Sequence, residues 1–432
     1  MYAKELTPFH MFQYNGENYV INIERMQTET VDQYSCTCIE ETVKDGYAAE
    51  HTPITHMSLL VTQSCNLRCV YCYEDKTNAR MEEATAFRAV DWLIRKSEDM
   101  RLIHIVFFGG EPLLNFSLIQ AVVDYAEEAA QKAGKQVKYS ITTNGTLLED
   151  EKILFLEKHN IVTMISFDGL KKLQDTQRPF PTGSGSYDLV VPKIKKLLEA
   201  MPQTAGHAVI MGNTSPEVVK DALLELGFRR VSVAMNSQSL FSENMSETKA
   251  SERNTQCMMS ALEEEAENWY TRIKARDFTD IRKLIGRSYL YGALLCLLNH
   301  TRKRYFCGAG RSMATITPSG DIYLCHRFVG LEDYRIGSID EYELNLERFR
   351  QSPVETNDIC RSCFAKYYCG GGCKHDHVSS NGSIHQPEEC MCQLKRKELE
   401  LAATVVSRLS VEDRNCLIKE KIFPPMACPL DF

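Results

Sequence analysis

Residues 64–73 read SCNLRCVYCY, which sets Cys65, Cys69 and Cys72 on one short segment at C-x3-C-x2-C spacing. The run before it, MSLLVT (57–62), is apolar and of strand length, so the three thiols sit on the loop that leaves a buried strand. Three thiols pose a question of stoichiometry. A structural zinc site takes four protein ligands around one ion, so a zinc here would borrow a distant one. An iron-sulfur cube takes one thiolate per iron, so three would leave one iron open to an outside molecule.

Outward from this loop the pattern alternates. Strands are predicted at 57–62, 102–108, 137–143, 161–167, 207–212 and 228–236. Between them lie helical patterns at 84–100, 115–134, 149–159 and near 187–200 and 216–226, with Asn115 as N-cap and Gly134 as terminator of the second. Six strands separated by helices imply a parallel α/β sheet with right-handed crossovers, in which chemistry sits at the carboxyl ends of the strands. The cysteine loop follows the first of those ends.

The chain of 432 residues is too long for one ordinary core. Five segments are expected: a short β-rich piece over 1–50, the α/β unit over 51–245, a helical bridge over 246–300, a cysteine-rich domain over 301–395, and a helix and tail over 396–432. The 1–50 piece holds two strand-like runs, FHMFQYN and YVINI, joined by turn residues Gly16 and Glu17. Apolar residues at 44% and charged residues at 25% match a soluble enzyme. With 50 Lys and Arg against 58 Asp and Glu, the net charge of -8 repels a nucleic-acid backbone, so nucleic acid is excluded as a partner. The N-terminus lacks a basic segment followed by an apolar run, and no stretch of about 18 apolar residues occurs, so a cytoplasmic protein without a membrane partner is expected.

Seventeen cysteines are many for a reducing compartment, where disulfides are rare. They cluster: none lies between Cys72 and Cys257, whereas eight fall between Cys307 and Cys392. Clustering of this kind points to metal ligation, while Cys36, Cys38, Cys257, Cys296, Cys416 and Cys428 read as buried structural thiols. His326, His375 and His377 are expected at the surface or beside ligands, and Arg327, next to Cys325, as a hydrogen-bond donor to a cluster.

With Tyr71 just before its third cysteine, the loop resembles the signature of radical S-adenosylmethionine (SAM) enzymes. The resemblance implies a partial (β/α)6 TIM barrel whose Cys65, Cys69 and Cys72 hold a 4Fe-4S cube. SAM would chelate the open iron and be cleaved to a 5'-deoxyadenosyl radical that abstracts hydrogen from substrate. It further implies that Gly109, Gly110 and Glu111 of FFGGEP lie along the SAM amino group. Asn144 of TTNGT and Ser166 of ISFDG would be barrel-mouth contacts, and Arg178 would pair with the SAM carboxylate. Asp168 is either part of the mouth or a turn cap.

The later cysteines follow C-x12-G-x4-C, then C-x2-C-x5-C-x3-C, then C, and resemble the SPASM extension of radical SAM peptide maturases. Carried over, Cys360, Cys363, Cys369 and Cys390 would hold one auxiliary 4Fe-4S cluster, with Cys392 able to replace Cys390. Cys307, Cys325 and Cys373 would hold another, completed by Cys296 or left open. That makes three clusters in all. The implied function is modification of a ribosomally made precursor peptide, with Cys-to-carbon thioether formation first. The alternatives are formylglycine formation of the sulfatase-maturation type and a non-enzymatic zinc-binding module. Implied partners are a precursor peptide whose leader pairs with the N-terminal strands and an electron donor such as flavodoxin or ferredoxin.

Overall fold

The computed structural model describes residues 8–30, 44–46, 52–211, 214–235, 245–285, 288–341, 344–345 and 353–424. Cys36, Cys38 and Cys428 lie outside these residues, as does the side chain of Cys257. The chain divides into two compact units, Met1–Ala49 with Ser237–Cys307 and Ser352–Phe432, and Glu50–Asn236 with Gly308–Gln351.

In the first unit β1 (Phe9–Tyr14), β2 (Glu17–Asn22) and β3 (Gln27–Thr30) form an antiparallel three-stranded sheet. The turn between β1 and β2 is made by Asn15 and Gly16, both at positive φ (49° and 81°), as a two-residue hairpin turn demands. β1 alternates exposed Phe9 and Met11 with half-buried His10 and Phe12. His10 stacks on Phe364 at 3.5 Å between ring centroids and meets Glu400 at 2.8 Å. β4 (Lys44–Gly46) pairs in parallel with β11 (Thr301–Lys303). The core of this unit joins Ile21 and Met26 to Trp269, to Leu294 and Cys296 of helix Tyr291–Leu298, and to the buried stripe of helix Glu389–Ser407.

The second unit is built on one nine-stranded sheet. β5 (His56–Thr62), β6 (Leu102–Gly109), β7 (Gln136–Thr143), β8 (Val162–Ser166), β9 (Ala205–Ile210) and β10 (Arg230–Met235) are the six expected strands. They lie side by side in chain order and all parallel. An order without reversal, with crossovers of one hand, keeps the helices on one face, as in an arc of a barrel and unlike a doubly wound sheet. On the far side of β5 the sheet continues with β12 (Met313–Ile316), parallel to β5, then β13 (Asp321–Tyr323) and β14 (Arg335–Ser338), antiparallel.

Local chemistry explains the crossovers. Helix Glu83–Lys96 buries Ala86, Ala89, Val90 and Leu93, one face at 3.6-residue spacing. Val90 and Leu93, the large aliphatics of that face, each contribute roughly 1.5–3 kcal/mol when taken out of water. Asn115 does occupy the cap position of helix Phe116–Lys132, but its side chain makes no cap bond; Asn115 Nδ2 donates to the Val61 carbonyl at 2.9 Å and ties the helix to the end of β5. Among the described residues no helix is long and apolar enough to cross a membrane.

Candidate functional site

The cysteine loop leaves β5 at Thr62 and is fastened across the mouth of the sheet. Arg68 N donates to Pro179 O at 2.8 Å and Val70 N to Gln177 O at 2.9 Å, while Leu67 is fully buried beneath. Cys65 and Cys69 are half-buried and Cys72 is exposed. Cys65 Sγ accepts from Leu67 N at 3.4 Å and Asn144 Nδ2 at 3.9 Å. Asn144 is itself held by Asn66 and by Thr146, whose hydroxyl donates to Asn144 Oδ1 at 2.6 Å. Burial pushes the Cys65 thiol up to about 11 and raises Cys69 as well. Thiols in such a setting become thiolates only when a cation supplies compensating charge, which is what a bound metal cluster does. Three donors plus N–H groups aimed at sulfur fit a cube with one iron left over. Among the described residues no three His, Cys, Asp or Glu side chains close around a single ion, and a cube, with one thiolate per iron, does not need them to.

The Gly109–Gly110 pair is dictated by this loop. A Cβ on Gly109 would stand 2.0 Å from Thr62 O, and one on Gly110 2.3 Å from Ser64 O; Gly109 also sits at φ 127°. The backbone uses that proximity: Gly110 N donates to Thr62 O at 3.0 Å and Glu111 N to Ser64 O at 2.8 Å. The Glu111 carboxylate is fully buried and accepts from Leu113 N (3.0 Å), Thr143 Oγ1 (2.7 Å) and Asn144 N (2.8 Å). Its side chain thus clamps the ends of β6 and β7 together. What this stretch offers a ligand is main chain.

The third feature is a buried polar hub. Tyr71 Oη donates to Asp168 at 3.0 and 2.8 Å, Gln177 Nε2 to Asp168 Oδ2 at 2.8 Å, and Val209 N to Asp168 Oδ1 at 3.0 Å. Arg178 Nε stands 3.1 Å from Asp168 Oδ2, an ion pair without hydrogen-bond alignment, and the guanidinium lies 5.2 Å from the centre of the Tyr71 ring. Burial works against the Arg178 charge, and the Asp168 carboxylate outweighs it. Burial, with Arg178 nearby, also depresses His207 to about 4, which keeps that ring neutral. Ser166 ends β8 and is half-buried. Asp168 is therefore a hub rather than a turn cap. Gln177, which bridges the hub to β9 by accepting from Met211 N and donating to Val209 O, carries no signal in the sequence.

In the same unit, buried Cys325 precedes a 3-10 turn, His326–Phe328. His326 packs at 4.4 Å on Phe108, and Arg327 lies 5.8 Å over the Tyr73 ring, directly after Cys72.

The other unit contains a cleft lined by Cys360, Cys363, Cys369, Cys373 and Cys392. Cys390 is not among the lining residues; its N–H donates at 2.7 Å to Glu388, the N-cap of helix Glu389–Ser407. Burial raises the Cys360 thiol to about 11 and the Cys392 thiol to about 12. Five thiols around one cleft, Cys360 buried and Cys363, Cys369, Cys373 and Cys392 half-buried, are a donor set that fits an iron-sulfur cube. Cys307 is half-buried, and Cys296 is fully buried with its thiol donating to Thr301 O at 2.7 Å. His375 and His377 are buried rather than superficial, and burial lowers His377 to about 4.

Residues 59–233, which hold the cysteine loop, the glycine pair and the hub, match the model of the radical SAM superfamily. The serine-type anaerobic sulfatase-maturating enzyme of Klebsiella aerogenes is 25% identical over 74% of this chain and 79% of its own. Among solved structures, anSMEcpe with bound AdoMet matches with a TM-score of 0.65 at 20% identity, covering 82% of this chain and 98% of that one. Streptococcus suis SuiB bound to precursor peptide SuiA matches with a TM-score of 0.51 at 16% identity, covering 89% and 98%.

Proposed function

We propose, from the premise that residues 59–233 are a radical SAM domain in an enzyme related to sulfatase maturases, that this protein modifies a ribosomally made precursor peptide. The reaction we assign is formation of thioether links from Cys sulfur to side-chain carbon. The observation that carries the enzyme class is the three-thiol loop at the carboxyl end of β5, backed by the Tyr71–Asp168–Arg178 hub.

Cys65, Cys69 and Cys72 would hold a 4Fe-4S cube, which with SAM would supply reductive cleavage to a hydrogen-abstracting deoxyadenosyl radical. The chain's own residues do the rest. Asn144 and Leu67 N–H soften the charge on Cys65. The main chain of Gly109 to Glu111 and the Ser166 hydroxyl would contact SAM, and Arg178, already paired with Asp168, would pair with the SAM carboxylate. Cys360, Cys363 and Cys369 would hold one auxiliary cluster, and Cys307 and Cys373 would serve another. The thiol of Cys296 is committed to Thr301 O, which favours an open iron there for a substrate thiolate. The leader of the peptide adds to the β1–β3 sheet as an extended strand, and flavodoxin or ferredoxin supplies electrons.

Formylglycine formation keeps the same first step, and the sulfatase-maturating relative is the observation that favours it. One experiment separates the two. The protein, purified without oxygen and reconstituted with iron and sulfide, is incubated with SAM, reductant and the Cys-containing peptide encoded beside its gene. Thioether formation removes two hydrogen atoms and one alkylatable thiol per link. Formylglycine instead gives an aldehyde that reacts with a hydrazide. Release of deoxyadenosine with an unchanged peptide defeats both.

A further inference from the structure

Helix Glu389–Ser407 begins at the cysteine cleft and brings two thiols to it, Cys390 and Cys392. In a helix of 3.6 residues per turn, positions two apart point about 200° away from each other, so only one of them can face the cleft. The one that lines it is Cys392. Cys363 and Cys369 line the same cleft. The helix is pinned in this rotation from its start, because Glu388 accepts from both Cys390 N and Met391 N at 2.7 Å.

One turn beyond Cys392, on the same face, stands Arg396, which also lines the cleft. Arg396 and Cys363 line the cleft together and interact through their side chains, and Nη1 donates to Glu389 Oε1 at 2.9 Å, which holds the guanidinium in place. Charge and N–H donors at a cluster sulfur favour the reduced, more negative state and raise the reduction potential.

We propose that the auxiliary cluster of this cleft is closed by Cys392 rather than Cys390, and that Arg396 is the positioning residue that raises its potential by donating to the Cys363 sulfur. This rests on the reading that the cleft holds an iron-sulfur cluster. Cys360, Cys363, Cys369 and Cys392 then supply four thiolates, and Cys373 is left for the second auxiliary cluster.

The test uses the full chain with Cys65, Cys69 and Cys72 replaced by Ala, so that only auxiliary clusters are counted after anaerobic reconstitution. Iron, acid-labile sulfide and the electron paramagnetic resonance of the reduced protein are measured for Cys390→Ser and Cys392→Ser. Cys392→Ser is expected to lose about four iron atoms per chain, one cube, and Cys390→Ser to keep the parent value. Iron retained in Cys392→Ser, or lost in Cys390→Ser, overturns the assignment. Circular dichroism of the apo variants identifies any that fails to fold, and for such a variant Cys392→Ala replaces the serine. Arg396→Leu should keep its iron while its spectroscopic redox titration moves to lower potential than the parent, with Arg396→Lys in between. An unmoved titration overturns the role of Arg396. A parent chain that binds no iron defeats the cluster reading itself, a result distinct from either.

Discussion

Tyr71 and Asp168 are joined across the mouth of the sheet, the phenol donating to both carboxylate oxygens at 3.0 and 2.8 Å although 97 residues separate them. The bond fastens the cysteine loop to the end of β8, and Arg178 on the same carboxylate makes the fastening ionic. Asp168 is fully buried and Arg178 nearly so. Replacing Asp168 by Ala leaves a buried cation unpaired, which costs about 3–5 kcal/mol. Tyr71→Phe removes only one charge-assisted donor, about 1.5–3 kcal/mol. Urea unfolding of the apo protein should rank the two in that order, and equal losses would mean that Arg178 finds another partner.

The glycine pair gives a sharper outcome. An alanine methyl at Gly110 would overlap the Ser64 carbonyl, a backbone atom that cannot swing away. Gly110→Ala is therefore expected to displace the segment that carries Cys65 while leaving the distant strands paired. Iron bound by the first site should fall severalfold, with the far-ultraviolet circular dichroism spectrum unchanged. Gly134→Ala is the control: it is strained by the left-handed φ of 68° at an exposed helix end, but nothing lies within 4 Å and it should retain its iron.

Glu111 carries a pH dependence. Burial lifts its carboxyl from 4.5 to about 7, with the donors from Asn144, Thr143 and Leu113 holding it back. The folded state then keeps the proton more tightly than the unfolded chain does. Its contribution is present in full below about pH 4.5 and is lost as pH rises to about 7. Glu111→Gln does not titrate, so the stability gap between wild type and variant should shift against wild type by up to about 3 kcal/mol across that window. Urea titrations at pH 5 and pH 7.5 measure it, and a constant gap would show that the carboxylate stays ionised throughout.

The parts of the fold that were legible in the sequence are those whose cause is local. Apolar runs of strand length between amphipathic stretches located β5 to β10, and the spacing of Cys65, Cys69 and Cys72 located the loop. Contacts made across strands were not legible. Nothing near FFGGEP says that Thr143 and Asn144 consume the Glu111 carboxylate, because that depends on β7 lying beside β6 in parallel register. For the same reason Asn115 read as a cap, although its amide is drawn to Val61. The choice between Cys390 and Cys392 needs the rotation of a helix, which no spacing rule encodes.

The first unit depends on a different, half-buried carboxylate. Glu265 accepts from Trp269 Nε1, one turn along its own helix, and from the Ser288 hydroxyl and the N–H groups of Tyr289 and Leu290 at the start of the helix that carries Cys296. Trp269 Nε1 also reaches Ser288 Oγ at 3.0 Å, and its ring is fully buried in the core that contains Cys360. Glu265→Ala removes an acceptor from four donors at once, of which Trp269 Nε1 keeps Ser288 Oγ, whereas Trp269→Phe loses one shared N–H and part of a ring. Unsatisfied buried donors cost about 1–3 kcal/mol each, although the freed N–H groups at the helix start can reach water. The expected order is a larger loss for Glu265→Ala than for Trp269→Phe, measured by chemical unfolding of the apo chain. The reverse order would place the weight of this region on ring packing instead of on the carboxylate.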